Sequence, residues 1–197
     1  VDSQDSPLHD AARIYLSGMR AEEDPASALQ VMESSETDGW EAALILLQDL
    51  GDARPQPPEF WALLADAARL IWLREDADWY EWRRSEARNG ALRAEICLMR
   101  TEEGGRALPI PPGGLIRPMW DIGRRTDEGE SSLSIASLWV EGREPLEPGG
   151  CAPARLIPLT PGHWLHLAPG DVITMHEMRP PAGTAHIIEV MPPVVPS

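Results

Sequence analysis

The chain has no lysine: all 17 of its basic residues are arginine. This disfavours every chemistry that depends on an ε-amino group. Without a phosphate-loop lysine, a kinase strand lysine or a Schiff-base amine, P-loop nucleotide hydrolysis, ordinary phosphoryl transfer and pyridoxal chemistry all lack a necessary part. Cysteine is nearly as scarce, with only Cys97 and Cys151. Two thiols make no disulfide framework, and a reducing cytoplasm is the default setting for such a chain. No apolar run approaches the roughly 18 residues that a bilayer-spanning helix needs, so no membrane association is expected. The opening VDSQDSPLHD is polar and acidic and shows no signal-peptide pattern. With abundant Ala, Gly, Pro and Trp, the lysine-free composition points to a GC-rich bacterial genome and a bacterial cytoplasmic protein.

What is present is negative charge, unevenly placed. The net charge over 197 residues is −15. Residues 1–103 carry 22 acids against 10 arginines, a net of −12, whereas residues 104–197 carry 10 acids against 7 arginines, a net of −3. A surface of that sign repels phosphate backbones, which argues against nucleic acid as a partner. It suits a basic protein partner, or serves simply as a solubilising surface.

The two halves have different hydrophobic patterns. From Pro7 to about Met99 apolar residues recur at helical spacing, as in Leu8, Ala11, Ala12, Tyr15 and Leu16. GWEAALILLQDLG reads as a helix closed by Gly51, and EFWALLADAARLIWL as a long apolar helix after the proline-rich break at Arg54 to Pro58. DWYEWRRSEARN and ALRAEICLMR continue the helical run. At an offset of 51 residues, Asp38 to Leu47 aligns with Asn89 to Leu98, sharing a turn glycine followed by Ala, Ile and Leu at matching positions. WYEWRRSEARNGALRAEICLM thereby resembles the helix–turn–helix unit of Sel1-like and tetratricopeptide repeats, which implies a stacked helical-repeat-like domain. An irregular helical bundle is the alternative.

EEGGRALPIPPGG, from Glu102 to Gly114, breaks the helical pattern, and its residues 104–114 read as a linker. Beyond it come six short apolar stretches, Leu115–Ile122, Leu133–Val140, Ala154–Leu159, His163–Leu167, Val172–Glu177 and Thr184–Val190, separated by Gly and Pro turns. Six strands with no intervening helix imply a small closed barrel, because closure removes exposed sheet edges. The fold class expected is therefore α+β in two domains: an acidic all-α domain over 1–103 and a six-stranded antiparallel β-barrel over 115–197.

The turns of that second half carry a resemblance. GLIRPMWDIGRR with Arg117-Pro118, LEPGG, the strand running into Thr160-Pro161, ITMHE, and Gly183 before TAHIIEV follow one another as in the third, C-terminal barrel domain of the elongation factor Tu family. The resemblance spans residues 114–190 and implies that domain's barrel. It carries no catalytic motif and no GTPase domain. The family's glycine-arginine loop near aminoacyl-tRNA is replaced by MRPPA, in which Arg179 is the only basic group, so binding to tRNA is not carried over.

The candidate sites are few. His163 and His166 are three apart, which on a strand places them on opposite faces, while His176 and His186 lie on closing strands where they can be cross-strand neighbours. The reading is of barrel histidines; no metal or cofactor is expected. Cys97 in EICLM reads as helix core, and Cys151 after Gly149-Gly150 as the more accessible thiol, with His163 a conceivable partner. Acid pairs such as Glu22-Glu23 read as solvated surface. No catalytic residue is assigned. Trp79 and Trp82 share a helical face and either fill the core or line a recognition groove. Arg117, Arg124 and Arg125 form the basic group of the barrel. These residues, with Arg179, are the candidate partner-binding set.

The leading expectation is a non-enzymatic adaptor that binds a protein partner. An acidic inhibitor or immunity-type protein neutralising a basic partner, and an enzyme using Cys151 or a histidine-held metal, stay open. Oligomeric state is not indicated.

Overall fold

A computed structural model of the chain describes residues 6–19, 25–26, 28, 39–142, 144–177 and 180–194. The architecture is α+β, with helices in the first half and a closed barrel in the second. The chain divides between Arg88 and Asn89 into two compact units, with Val194 returning to the first.

The first unit contains helices α1 (Pro7–Ser17), α2 (Trp40–Ala53), α3 (Pro58–Leu70) and α4 (Arg74–Asn89). Proline in the first turn of α1 and of α3 sets the helical φ at a position whose N–H has no intrahelical acceptor. The apolar stripe of α1, Leu8, Ala11, Ala12 and Tyr15, is buried against α2 and α3. Ala65, Ala67 and Ala68 of α3 are fully buried, and their small side chains let neighbouring helices approach closely. The largest side chains of this core interlock as an aromatic set. Phe60 meets Trp61 edge-on at 5.2 Å, and Trp61 stacks on Tyr80 at 6.4 Å.

Gly51, expected to close a helix, lies inside α2 and is buried. A Cβ there would stand 2.7 Å from the Trp61 ring and 2.9 Å from the Phe60 ring. Its role is close approach between α2 and α3, which a sequence pattern cannot distinguish from termination.

The second unit is a six-stranded antiparallel barrel built from β1 (Ala91–Leu98), β2 (Gly113–Ile116), β3 (Met119–Asp121), β4 (Ser134–Val140), β5 (Cys151–Pro158), β6 (Val172–His176) and β7 (Pro181–Met191). The ring runs β4–β5–β1–β7–β6–β3 and closes through β3 on β4. β2 and β3 are one strand interrupted at Arg117-Pro118, since both pair with β4. Inward-facing Leu92, Ala94, Ile96, Leu138, Ala154, Leu156, Ile173, Met175, Ala185 and Ile187 fill the interior around a fully buried Trp120.

The six strands are not the six expected. His163–Leu167 is no strand: Pro161–His163 forms a 3-10 turn and Trp164 caps it. The sixth strand is β1, which the helical reading of Ala91–Met99 placed in the other domain. β1 belongs to the barrel, so the all-α unit stops short of residue 103. The physical reason is visible in its side chains. Leu92, Ala94, Ile96 and Leu98 point inward while Arg93, Glu95 and Cys97 alternate outward, a period of two and not 3.6. Gly90, at φ 75°, breaks the helix immediately before it. The 51-residue offset therefore aligns helix α2 with strand β1, two different structures.

Cys97 and Cys151 are corrected as well. They form a disulfide between β1 and β5, so neither is a helix-core residue or a free thiol, and the compartment argument built on unpaired cysteines no longer carries. No described helix is long and apolar enough to cross a membrane.

Candidate recognition site on the helical unit

The connection between α3 and α4 is the most unusual local structure in the described chain. α3 ends in a hydrogen-bonding pattern in which Leu73 donates its N–H to Ala68 O at 2.9 Å and Trp72 donates its N–H to Arg69 O at 3.2 Å. This is a Schellman motif: a six-residue bond encloses a four-residue bond and satisfies the last carbonyls of the helix. The motif requires left-handed backbone at the residue after the cap, and glycine normally supplies it. Here that residue is Trp72, at φ 66°, the only described non-glycine residue with positive φ. A side chain at such a position costs roughly 1–2 kcal/mol relative to ordinary backbone.

Packing does not offset that cost. Trp72 is 79% exposed, and Leu70, two residues before it, is 61% exposed. The alternate residues do the anchoring: Ile71 and Leu73 are partly buried against the helical core. The turn is thus nailed to the unit by two aliphatic side chains and displays a leucine and an indole to solvent. A Trp–Leu pair held on a hydrogen-bonded turn loses little conformational freedom when it is covered, which is the property of an interface anchor.

The surroundings are acidic. Over residues 66–81, Asp66, Glu75, Asp76, Asp78 and Glu81 stand against Arg69 and Arg74. Arg69 is itself neutralised, donating to Asp66 Oδ1 at 2.8 Å and to Glu81 Oε1 at 2.7 Å. The hydrogen bond to Glu81 is the main cause that raises the Arg69 pKa, and its counterpart holds the Glu81 carboxyl below the usual carboxylate range.

The residues singled out from the sequence are dispersed. Trp82 is buried at 8% exposure and donates its indole N–H to Glu86 Oε1 at 2.8 Å. Trp79 is partly buried against the helical core, with the Arg83 guanidinium 5.4 Å from its ring centre. The more exposed tryptophan is Trp72, and a run of apolar residues overshooting α3 with no glycine before Arg74 was the signal for it. Arg125, beyond the end of β3, turns back onto its last residue, donating to Asp121 Oδ1 at 3.1 Å. Burial alone would raise the Asp121 pKa; hydrogen bonds from the Gly123 N–H, Ser131 Oγ and Arg125 outweigh it and hold the carboxyl low. Arg117 is exposed just beyond β2, and Arg124 is half-buried. Arg179 lies outside the described residues. Arg93 and Arg155, which the sequence reading did not include, converge on Glu141, at 3.0 Å and 2.8 Å.

The histidines do not assemble. His166 Nε2 bonds Ile122 O at 2.7 Å. His176 pairs with Pro181, and His186 pairs with Val172 and Glu95, so the two are not cross-strand neighbours. Among the described residues, no group of three or more His, Cys, Asp or Glu side chains is placed to hold a metal ion. No known family model matches the chain, and no curated protein matches it.

Proposed function

We propose that the chain is a protein-recognition module whose acidic helical unit engages a basic partner through the Leu70–Trp72 turn. The observation that carries this reading is the placement of a tryptophan at a left-handed, solvent-exposed helix end, where glycine would serve the fold better. The partner that fits has an apolar socket for the indole and a rim of lysine or arginine facing the acids of residues 66–81. Charge complementarity of this kind steers encounter, and the anchor sets the dissociation rate.

An inhibitor or immunity-type role is the second reading, favoured by the net charge of −12 over residues 1–103. On that reading electrostatics dominate and Trp72 is secondary. Kinship of the barrel with the third domain of the elongation factor Tu family belongs to the proposal too. Its support is the run of turns at Arg117-Pro118, Leu146–Gly150 and Thr160-Pro161 together with a six-stranded antiparallel closure. A bacterial cytoplasmic setting rests on composition alone, and stacked-repeat character only on the helical spacing within the first unit, since the 51-residue offset pairs α2 with strand β1.

The test is affinity capture from a lysate of the source organism, with wild type and Trp72→Gly immobilised side by side across a salt series. A basic protein retained by wild type and lost from the variant supports the anchor reading. Retention equal on both, but abolished by salt, moves the protein to the inhibitor reading. Equal, salt-insensitive retention sinks both.

A further inference from the structure

Cys97 and Cys151 lie directly opposite one another on β1 and β5, with Cα atoms 4.1 Å apart. The neighbouring pair is the hydrogen-bonded one, since Leu98 donates its N–H to Gly150 O at 2.9 Å. The cysteines therefore occupy the adjacent non-hydrogen-bonded position, where antiparallel strands come closest and cross-strand side chains meet. Both belong to the outward set of their strands: Arg93, Glu95 and Cys97 on β1, and Cys151, Pro153 and Arg155 on β5. Cys151 is exposed and Cys97 half-buried.

Two consequences follow from that position. A thiolate in solvent can approach Cys151 Sγ without opening the barrel. In addition, the bridge is not what joins these strands. β1 is held by paired residues from Leu92 to Cys97 on the β5 side and from Ala91 to Leu98 on the β7 side, so the ring stays closed without the sulfur–sulfur bond. The bridge spans a ladder that is already paired along its length.

We propose that Cys97–Cys151 is a thiol–disulfide exchange site on the outer face of the barrel, reduced by dithiols while the barrel stays folded. The thiolate of a dithiol attacks Cys151 Sγ. A bond forms between the reagent sulfur and Cys151 as the bond to Cys97 breaks, and Cys97 leaves as a thiolate that takes a proton from water. The reagent's second thiol, after losing its proton, attacks the reagent sulfur in the mixed disulfide and releases Cys151 as a thiolate, which is protonated in turn. Two electrons and two protons pass from the dithiol to the protein, leaving two cysteine thiols and one oxidised dithiol.

The test uses the full chain, first equilibrated with oxidised dithiothreitol and then treated with dithiothreitol without denaturant. Free thiols are trapped with maleimide and counted by mass, while circular dichroism follows the strands. The expected result is no adduct before reduction and two after it, with unchanged strand signal. Adducts that appear only in denaturant, loss of strand signal on reduction, or two adducts after the oxidising step each overturn the proposal. Cys97→Ser isolates the attacked sulfur: folded variant mixed with oxidised glutathione should gain one glutathione on Cys151, at least several-fold faster than Cys151→Ser gains one on half-buried Cys97. Equal rates, or an inert Cys151, overturn the assignment of the attacked atom and with it the mechanism.

Discussion

The backbone N–H of Trp72 donates to the carbonyl oxygen of Arg69 at 3.2 Å, and this bond holds a tryptophan in the backbone conformation of a glycine. The turn therefore trades local stability for display of a large apolar side chain. The trade can be measured.

Trp72→Gly relieves a left-handed side chain worth roughly 1–2 kcal/mol but gives the unfolded chain extra freedom worth roughly 0.5–1 kcal/mol. The first effect is the larger, so the variant should be as stable as wild type or more stable by up to about 1.5 kcal/mol. Trp72→Ala keeps the Cβ and should show no such gain. Urea melts of the three proteins decide it; a Trp72→Gly variant less stable than Trp72→Ala would mean that position 72 is not held left-handed, and both variants well below wild type would mean that the indole packs on something the turn does not show.

Gly51→Ala tests two opposing effects. Alanine is the better helix former by about 1 kcal/mol. The new methyl, however, would stand 2.7 Å from the Trp61 ring and 2.9 Å from the Phe60 ring, both buried and locked by mutual packing. Overpacking of this kind costs about 1–3 kcal/mol, so a net destabilisation of about 1 kcal/mol is expected. A stabilised variant would show that α2 and α3 sit farther apart than described.

Trp82→Ala removes a buried ring and leaves the Glu86 carboxylate, 6% exposed, without its indole donor. The expected loss is about 3–5 kcal/mol, against a smaller one for Trp79→Ala, whose ring is only partly buried. Thermal melts rank them; the reverse order would exchange their assignments as core and periphery.

Acid should weaken both units through identified carboxylates. Arg69 holds Glu81 low. At Asp121 burial acts upward, but the bonds from Gly123, Ser131 and Arg125 prevail and hold it low. A depressed folded pKa means that the unfolded chain binds the proton first. The stabilisation is present above the ordinary carboxylate values near about 4 and is lost as pH falls through the lower folded values. Melts across the acid range should steepen there, and Asp121→Asn and Glu81→Gln should each flatten that limb. An unchanged acid limb in both variants would remove these groups as its cause.

Replacing both cysteines by serine should leave the barrel folded but lower its stability by about 2–4 kcal/mol, since a link across this many residues chiefly restricts the unfolded chain. Retention of the strand dichroism with a lowered melting temperature is the expected pair of readings; loss of the strand signal at ambient temperature would show that the bridge holds the ring closed.

Much of the architecture can be read directly from local patterns. Leu8, Ala11, Ala12 and Tyr15 announce a helix because helical spacing alone puts them on one face, and the Gly–Pro turns around Val172–Glu177 and Thr184–Val190 mark strands whatever those strands pack against. β1 reads locally as helix although Leu92, Ala94, Ile96 and Leu98 alternate at the period of a strand. Leucine, alanine and arginine favour helix locally, and only the pairing of β1 with β5 and β7 overrides that preference. His163–Leu167 erred the other way: a short apolar run between turns looks like a strand, yet it has no ladder partner and caps the interior with Trp164 instead.

What the amino-acid sequence determined by itself is therefore chemical and local: no lysine chemistry, a strongly acidic first half, helices followed by a closed set of strands, and the residue types available for any site. What only the tertiary structure decided is adjacency. That Cys97 faces Cys151 across a ladder, that Gly51 meets two rings, and that Trp72 and not Trp82 reaches solvent all depend on contacts between residues distant in the chain or on a backbone angle fixed by the hydrogen bonds that end α3. Periodicity along one segment carries no information about its partner, and burial is a property of the partner as much as of the segment.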